Sequence, residues 1–338
     1  MQVRLRTVPA LLAGWLILAG SAAAQAELRT RNVVLIVCDG LRWQEVFLGP
    51  EHALMDKKHG GVADAAALRK DFWRDTPAEG RAALLPFFWS VVAQQGQLFG
   101  NQTKGSVARV TNGLKFSYPG YNEMLAGRAD PRVDSNDPHP NPNVTVFEWL
   151  STLPEFRGRV AAFATWGVFD AIFNRERSGI YVFSGWEPHA VRASTPRQAL
   201  LDELYRTTTR LWGDNSYDSL LHAAAKEYLQ AERPRVLFVG YGETDEWAHS
   251  GRYDLVLRSA HQFDAFVADL WNTLQAMPEY RDQTTFIITA DHGRGSGLKK
   301  WRDHGRKVAS AENIWLAVLG PDTPPLGERT QAAPITQS

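Results

Sequence analysis

The chain has one cysteine, Cys38, in 338 residues, so no intramolecular disulfide can form even in an oxidising compartment. Cys38 closes an apolar run and reads as a small buried hydrophobe. There is no excess of charge of either sign. Lys plus Arg and Asp plus Glu both number 37, so no whole-protein field argues for a nucleic-acid polymer or an acidic membrane surface as partner. No internal repeat and no heptad seam is present, which excludes solenoids and coiled coils. After the first 26 residues there is no apolar run long enough to span a membrane.

Those first residues read as an address. Arg4 and Arg6 form a positive start, residues 8–19 are apolar, and Ala22-Ala23-Ala24-Gln25-Ala26 offers small-residue cleavage sites. A signal peptide over 1–26 is expected, with a periplasmic or secreted mature protein; an uncleaved anchor is the alternative. About 310 residues then remain, enough for one large α/β domain or two modest ones, and twelve Trp and sixteen Phe can fill a large core.

What is present is a set of buried-strand patterns that end in acids. Thr284-Thr285-Phe286-Ile287-Ile288-Thr289 runs through Ala290 into Asp291-His292-Gly293. A run apolar on both faces predicts a strand inside a parallel sheet. Residues 32–38 repeat the pattern and end in Asp39-Gly40. Residues 235–240 lead into Asp245 and His249, four apart and so on one helical face. Strands are also expected at 97–101, 159–165 and 313–319, and helices at 84–95, 146–153, 198–211, 216–231 and 254–277. Residues 48–80 read as a surface excursion, 129–143 (with His139) as a loop and 174–186 as irregular. Residues 128–215 are expected to cap the sheet edge, and 321–338 to be a flexible tail. The fold class is α/β, a largely parallel central sheet flanked by helices.

In open parallel sheets the ligand crevice lies beyond the carboxyl ends of the strands, so Asp39, Asp245 and Asp291 should converge there. With His249, His292 and His304 they form six nitrogen and oxygen ligands. Ser117 precedes Pro119 and a helix pattern that stops at Gly127. It suits an N-cap, or a nucleophile at the positive end of a helix dipole. Arg109, Lys115, Asn122, Arg294 and Arg306 are candidates for phosphate oxygens, and Tyr118 and Tyr121 for a pocket wall. Each also has an ordinary surface or packing reading.

The order Asp39-Gly40, Ser117-Tyr118-Pro119-Gly120-Tyr121, Asp245-x-x-x-His249, Asp291-His292-Gly293 and His304 resembles the alkaline phosphatase superfamily. The type I phosphodiesterase/nucleotide pyrophosphatase branch matches best. The resemblance implies a single catalytic domain over 27–338 that hydrolyses a small phosphoester through a phosphoseryl intermediate on Ser117. It implies two divalent ions, Zn²⁺ or alternatively Mn²⁺. One would be held by Asp245, His249 and His304, the other by Asp39, Asp291 and His292, with Ser117 between them. Tyr121 stands where sulfatases carry Arg after Ser/Cys-x-Pro-x, which demotes sulfate esters. A sulfatase, a phosphotransferase of the same superfamily, or a non-catalytic metal- or phosphate-binding protein is the alternative.

Overall fold

Residues 27–186 and 195–338 are described by a computed structural model. The expected leader, 1–26, lies outside them. Eleven short strands are present among the described residues: β1 Asn32–Cys38, β2 Gln97–Phe99, β3 Ala108–Arg109, β4 Val160–Ala164, β5 Tyr181–Ser184, β6 Val236–Tyr241, β7 Thr284–Thr289, β8 Asn313–Ile314, β9 Leu316–Leu319, β10 Gly327–Glu328 and β11 Ile335–Thr336. Eight form the main sheet in the order β10-β2-β9-β7-β1-β6-β4-β5. The block β7-β1-β6-β4-β5 is parallel throughout, and β9 enters antiparallel. The largely parallel α/β sheet expected from the sequence is therefore the one observed.

The apolar runs are continuous because both faces of the sheet are covered. Along β1, Val34, Ile36 and Cys38 join a core that includes Phe263, Val267 and Leu270 of the long helix Tyr253–Ala276. Leu35 and Val37 enter a second core on the other face, with Tyr121, Phe169 and Phe238. Register places Cys38 opposite Tyr241 and Val37 opposite Thr289. The carboxyl ends of β1, β6 and β7 thus lie level, and that shared edge positions the site. No helix among the described residues is long and apolar enough to cross a membrane.

Several expectations need correction. Residues 48–80 are not a loose excursion: they carry the helix Ala65–Phe72 and the start of Pro77–Leu84, and bury Leu54, Met55, Leu68 and Phe72. The second helix opens with a capping box between Thr76 and Glu79 and Pro77 in its first turn, a legible start signal. The helix expected at 84–95 is present from 86 to 95, with a π-turn over Phe88–Val92 inside it. Residues 174–186 contain an Asn174-capped turn and the edge strand β5. Residues 313–319 divide between two sheets, β8 pairing with β3 and β9 with β7. Within 128–215 two segments, β4 and β5, are strands of the main sheet. The tail pairs too, β10 with β2 and β11 with β3.

Asp264 ties the long helix to the start of the π-turn. Its carboxylate accepts the backbone N–H groups of Phe87 and Phe88, both at 2.8 Å. Burial pushes its pKa up to about 6, against those two hydrogen bonds. The folded chain then keeps a proton that the unfolded chain releases above pH ~4. This group favours folding below that pH, and the contribution is lost as pH rises through about 6. Asp264→Asn should remove a fall of about 3 kcal/mol in unfolding free energy between pH ~4 and ~7. Urea titrations of both proteins across that range measure the difference, and parallel pH profiles would contradict it.

Candidate metal centre

The strand ends deliver the ligands. At the end of β1, Asp39 is buried, and the N–H of Gly40 donates to Asp291 Oδ1 at 3.1 Å. Gly40 has φ +60, and a Cβ there would sit 2.9 Å from Asp245 Oδ1, so glycine is required on both counts. Beyond β7, Asp291 and His292 are fully buried. After β6 the helix Glu243–His249 carries Asp245 and His249. Thr244 of the same helix donates to the backbone oxygen of Asp39 at 2.5 Å, locking that helix to the end of β1. The loop after the short helix Gly297–Lys300 brings His304 back over the same edge.

Ser117 starts the helix Ser117–Ala126 but is not its N-cap: Phe116 takes that position, and no side chain caps the helix. The Ser117 hydroxyl faces the ligands instead, 3.4 Å from His292 Nε2. The helix can approach this closely because residue 120 is glycine; a Cβ there would lie 2.4 Å from the backbone oxygen of Asp291.

His292 Nε2 is the hub. Asp39 Oδ1 lies 3.4 Å away, Asp291 Oδ2 3.5 Å and Asp245 Oδ1 3.8 Å. Two groups have ligand atoms mutually within 4.8 Å: Asp39, Asp291 and His292, and Asp245, His292 and His304. His249 joins the second through Asp245 Oδ2 at 3.1 Å and His304 Nε2 at 2.9 Å, with its side chain 49% exposed at the rim. All seven residues singled out from the sequence thus meet at one place.

The electrostatics fit a bound cation. Burial lowers the pKa of His292, of His304 (where His292 and Arg294 add to it) and of His249, which keeps the three imidazoles neutral. The Nδ1 of His292 lies 3.0 Å from the Gly293 oxygen, and that of His304 lies 3.2 Å from the Lys115 oxygen. Donation there leaves each Nε2 lone pair free to bind metal. Burial, with Asp291 beside it, raises Asp39 well above the usual carboxylate range, and burial raises Asp291 too. Asp39 Oδ1 and Asp291 Oδ2 are buried without any hydrogen-bond partner. Orphaned carboxylate oxygens facing one another are costly, and a divalent cation removes that cost. The donor set is nitrogen and oxygen only, which suits Zn²⁺ or Mn²⁺.

The auxiliary candidates separate. Arg294 is 2% exposed and pairs with Asp245; burial pushes it down to about 10, so it stays charged at neutral pH. Tyr121 donates to Asp39 Oδ2 at 3.1 Å and orients it. Its position four residues after Ser117 is the signal that puts it on the same helical face. Thr244 had no such signal, because its partner is a backbone atom. Lys115 pairs with Glu312 at 2.8 Å, Asn122 bonds Asn143, and Tyr118 donates to the backbone oxygen of His139. Arg109 and Arg306 are exposed. Among the described residues, no side-chain hydrogen bond or ion pair of these last five joins the cluster; Lys115 meets it only through its backbone oxygen, 3.2 Å from His304 Nδ1.

Residues 208–331 match the model of the Metalloenzyme superfamily, a segment that holds Asp245, His249, Asp291, His292 and His304. No curated protein matches the chain in sequence. Solved structures that share the fold include the following three. The lipoteichoic acid synthase LtaP from Listeria monocytogenes aligns over 92% of this chain and 69% of its own at 9% identity, with TM-score 0.54. A putative sulfatase from Bacteroides thetaiotaomicron aligns over 88% and 68% at 14% identity, with TM-score 0.51. The C-terminal periplasmic domain of EcEptC from Escherichia coli, in complex with Zn, aligns over 88% and 75% at 9% identity, with TM-score 0.50. The Metalloenzyme superfamily match over residues 208–331 and the shared fold agree with the motif resemblance.

Proposed function

We propose that this chain, with its alkaline phosphatase superfamily fold, is an exported metal-dependent phosphoester hydrolase of the phosphodiesterase kind, with Ser117 as nucleophile. The observation that carries the reading is the Ser117 hydroxyl 3.4 Å from His292 Nε2, the atom shared by both ligand groups. Nucleophile and ligands come from five separate parts of the chain, and a purely structural serine has no reason to join them.

Two divalent ions, one on Asp245, His249 and His304 and one on Asp39, Asp291 and His292, would favour the serine alkoxide and neutralise charge on the phosphoryl group. Ser117 loses its proton to solvent and its Oγ attacks phosphorus, forming the Oγ–P bond as the bond to the leaving oxygen breaks. The leaving oxygen takes a proton from water. A second water then attacks phosphorus, the Oγ–P bond breaks and Ser117 is regenerated. The ten-residue helix Ser117–Ala126 would set the positive end of its dipole at Ser117, on the side of the phosphoryl group. Tyr121 keeps Asp39 turned inward. Export rests on the leader pattern and agrees with a periplasmic neighbour of the same fold.

The test is initial hydrolysis by purified leaderless protein loaded with Zn²⁺ or Mn²⁺, on a nitrophenyl phosphate diester, the monoester and the sulfate ester, with a chelator control. Chelator-sensitive turnover with the diester preferred is expected. Metal-loaded protein that turns over only the sulfate, or nothing, would sink the proposal.

A further inference from the structure

Arg294 has a place in the site that phosphate recognition does not explain. Its side chain is 2% exposed and sits among the ligands rather than at the mouth. One guanidinium nitrogen, Nη2, contacts Asp245 Oδ1 and lies 3.3 Å from the Asp245 backbone oxygen. The other, Nη1, donates to the backbone oxygen of Arg302 at 2.5 Å. Nε is buried without a partner. Asp245 Oδ1 is also the oxygen that faces His292 Nε2 and His304 Nε2, each at 3.8 Å. The guanidinium therefore rests on the oxygen that a cation between those three residues needs.

The surrounding charge explains why. Asp39, Asp245 and Asp291 converge on one imidazole, and Arg294 brings a buried positive charge to them through its ion pair with Asp245. The other buried arginine nearby, Arg42, is committed to Glu45 and Glu51. The Arg302 contact also fixes the loop two residues before His304.

We propose that Arg294 is the resident counter-ion of the centre: it holds Asp245 and the His304 loop in place before metal arrives, and yields Asp245 Oδ1 to the incoming divalent cation. Arg294 is thus a positioning residue, and it competes with the metal. The inference rests on reading this cluster as a metal centre. Two like charges cannot both sit against one carboxylate oxygen without cost, so metal binding displaces the guanidinium, and losing the guanidinium favours the metal-bound state.

The test needs no substrate. Metal-free wild type, R294M and R294K are titrated with Zn²⁺ against a chromophoric chelator, and thermal unfolding is recorded with and without zinc. R294M should bind zinc at least about ten-fold more tightly, since metal-free protein would hold the carboxylates with no cation. Its metal-free form should melt lower, and zinc should raise its melting temperature more than that of wild type. R294K keeps the charge and should bind zinc within about three-fold of wild type. If metal-free R294M does not fold, R294M and R294Q refolded with zinc should release it to a chelator more slowly than wild type. Equal or weaker zinc binding by R294M, equal or faster release by the refolded variants, or R294K binding as tightly as R294M, overturns the proposal. Wild type that binds no zinc overturns both this inference and the metal reading beneath it.

Discussion

Ser117→Ala is expected to lower phosphoester turnover by about 10⁴-fold or more while zinc content stays that of wild type. The change removes one oxygen from a position that makes no capping hydrogen bond, so helix and fold lose little. The six nitrogen and oxygen ligands remain, held by Tyr121, Gly40 and the backbone contacts of His292 and His304. Metal analysis together with kcat separates the two roles. Loss of metal along with turnover would make Ser117 a ligand first, and unchanged turnover would remove it from the mechanism.

Asp291→Asn should have the opposite signature. Asp291 is fully buried, and its Oδ2 has no partner. A neutral amide cannot replace a charged ligand, so zinc affinity should fall by more than about 100-fold, beyond what loss of an outer-shell partner costs, and turnover should fall with it. Stability should move the other way in metal-free protein. Burial raises Asp39 and Asp291, and Asp291 adds to the shift at Asp39. Both raised groups disfavour the folded state above the ordinary carboxylate pKa, and that cost stays in full above their folded-state values. Removing one charge relieves it. Metal-free Asp291→Asn should therefore melt no lower than metal-free wild type at neutral pH, and zinc should no longer raise its melting temperature. A lower metal-free melting temperature, or a preserved zinc response, contradicts this.

How legible the molecule is depends on the kind of signal each part carries. The strands that lead to Asp39, to the helix carrying Asp245 and to Asp291 can be read because both faces are covered, which writes each as an unbroken apolar run. Parallel pairing then sets their ends level, and the ligands follow from adjacency in sequence. The edge strand Tyr181–Ser184 is short and follows an Asn174-capped turn, so periodicity has too few residues to register it. The split of 313–319 between two sheets comes from tertiary pairing that no local pattern encodes. The tail strands consist of two residues each and exist only because β2 and β3 offer open edges. Ser117 reads as a capping serine because the residue type is the same in either use, and only the approach to His292 separates the two. Arg294 stands two residues after His292, yet its pairing with Asp245 across the site is set by the fold.

The most direct measurement of the central claim is peptide mass analysis of zinc-loaded protein quenched in acid within one turnover of a nitrophenyl phosphate diester. One phosphoryl group, esterified if the diester keeps its second alcohol, is expected on Ser117, absent in the chelated control and in Ser117→Ala. Turnover with Ser117 unmodified at every quench time, or with the phosphoryl group on another residue, would contradict a serine nucleophile at this centre.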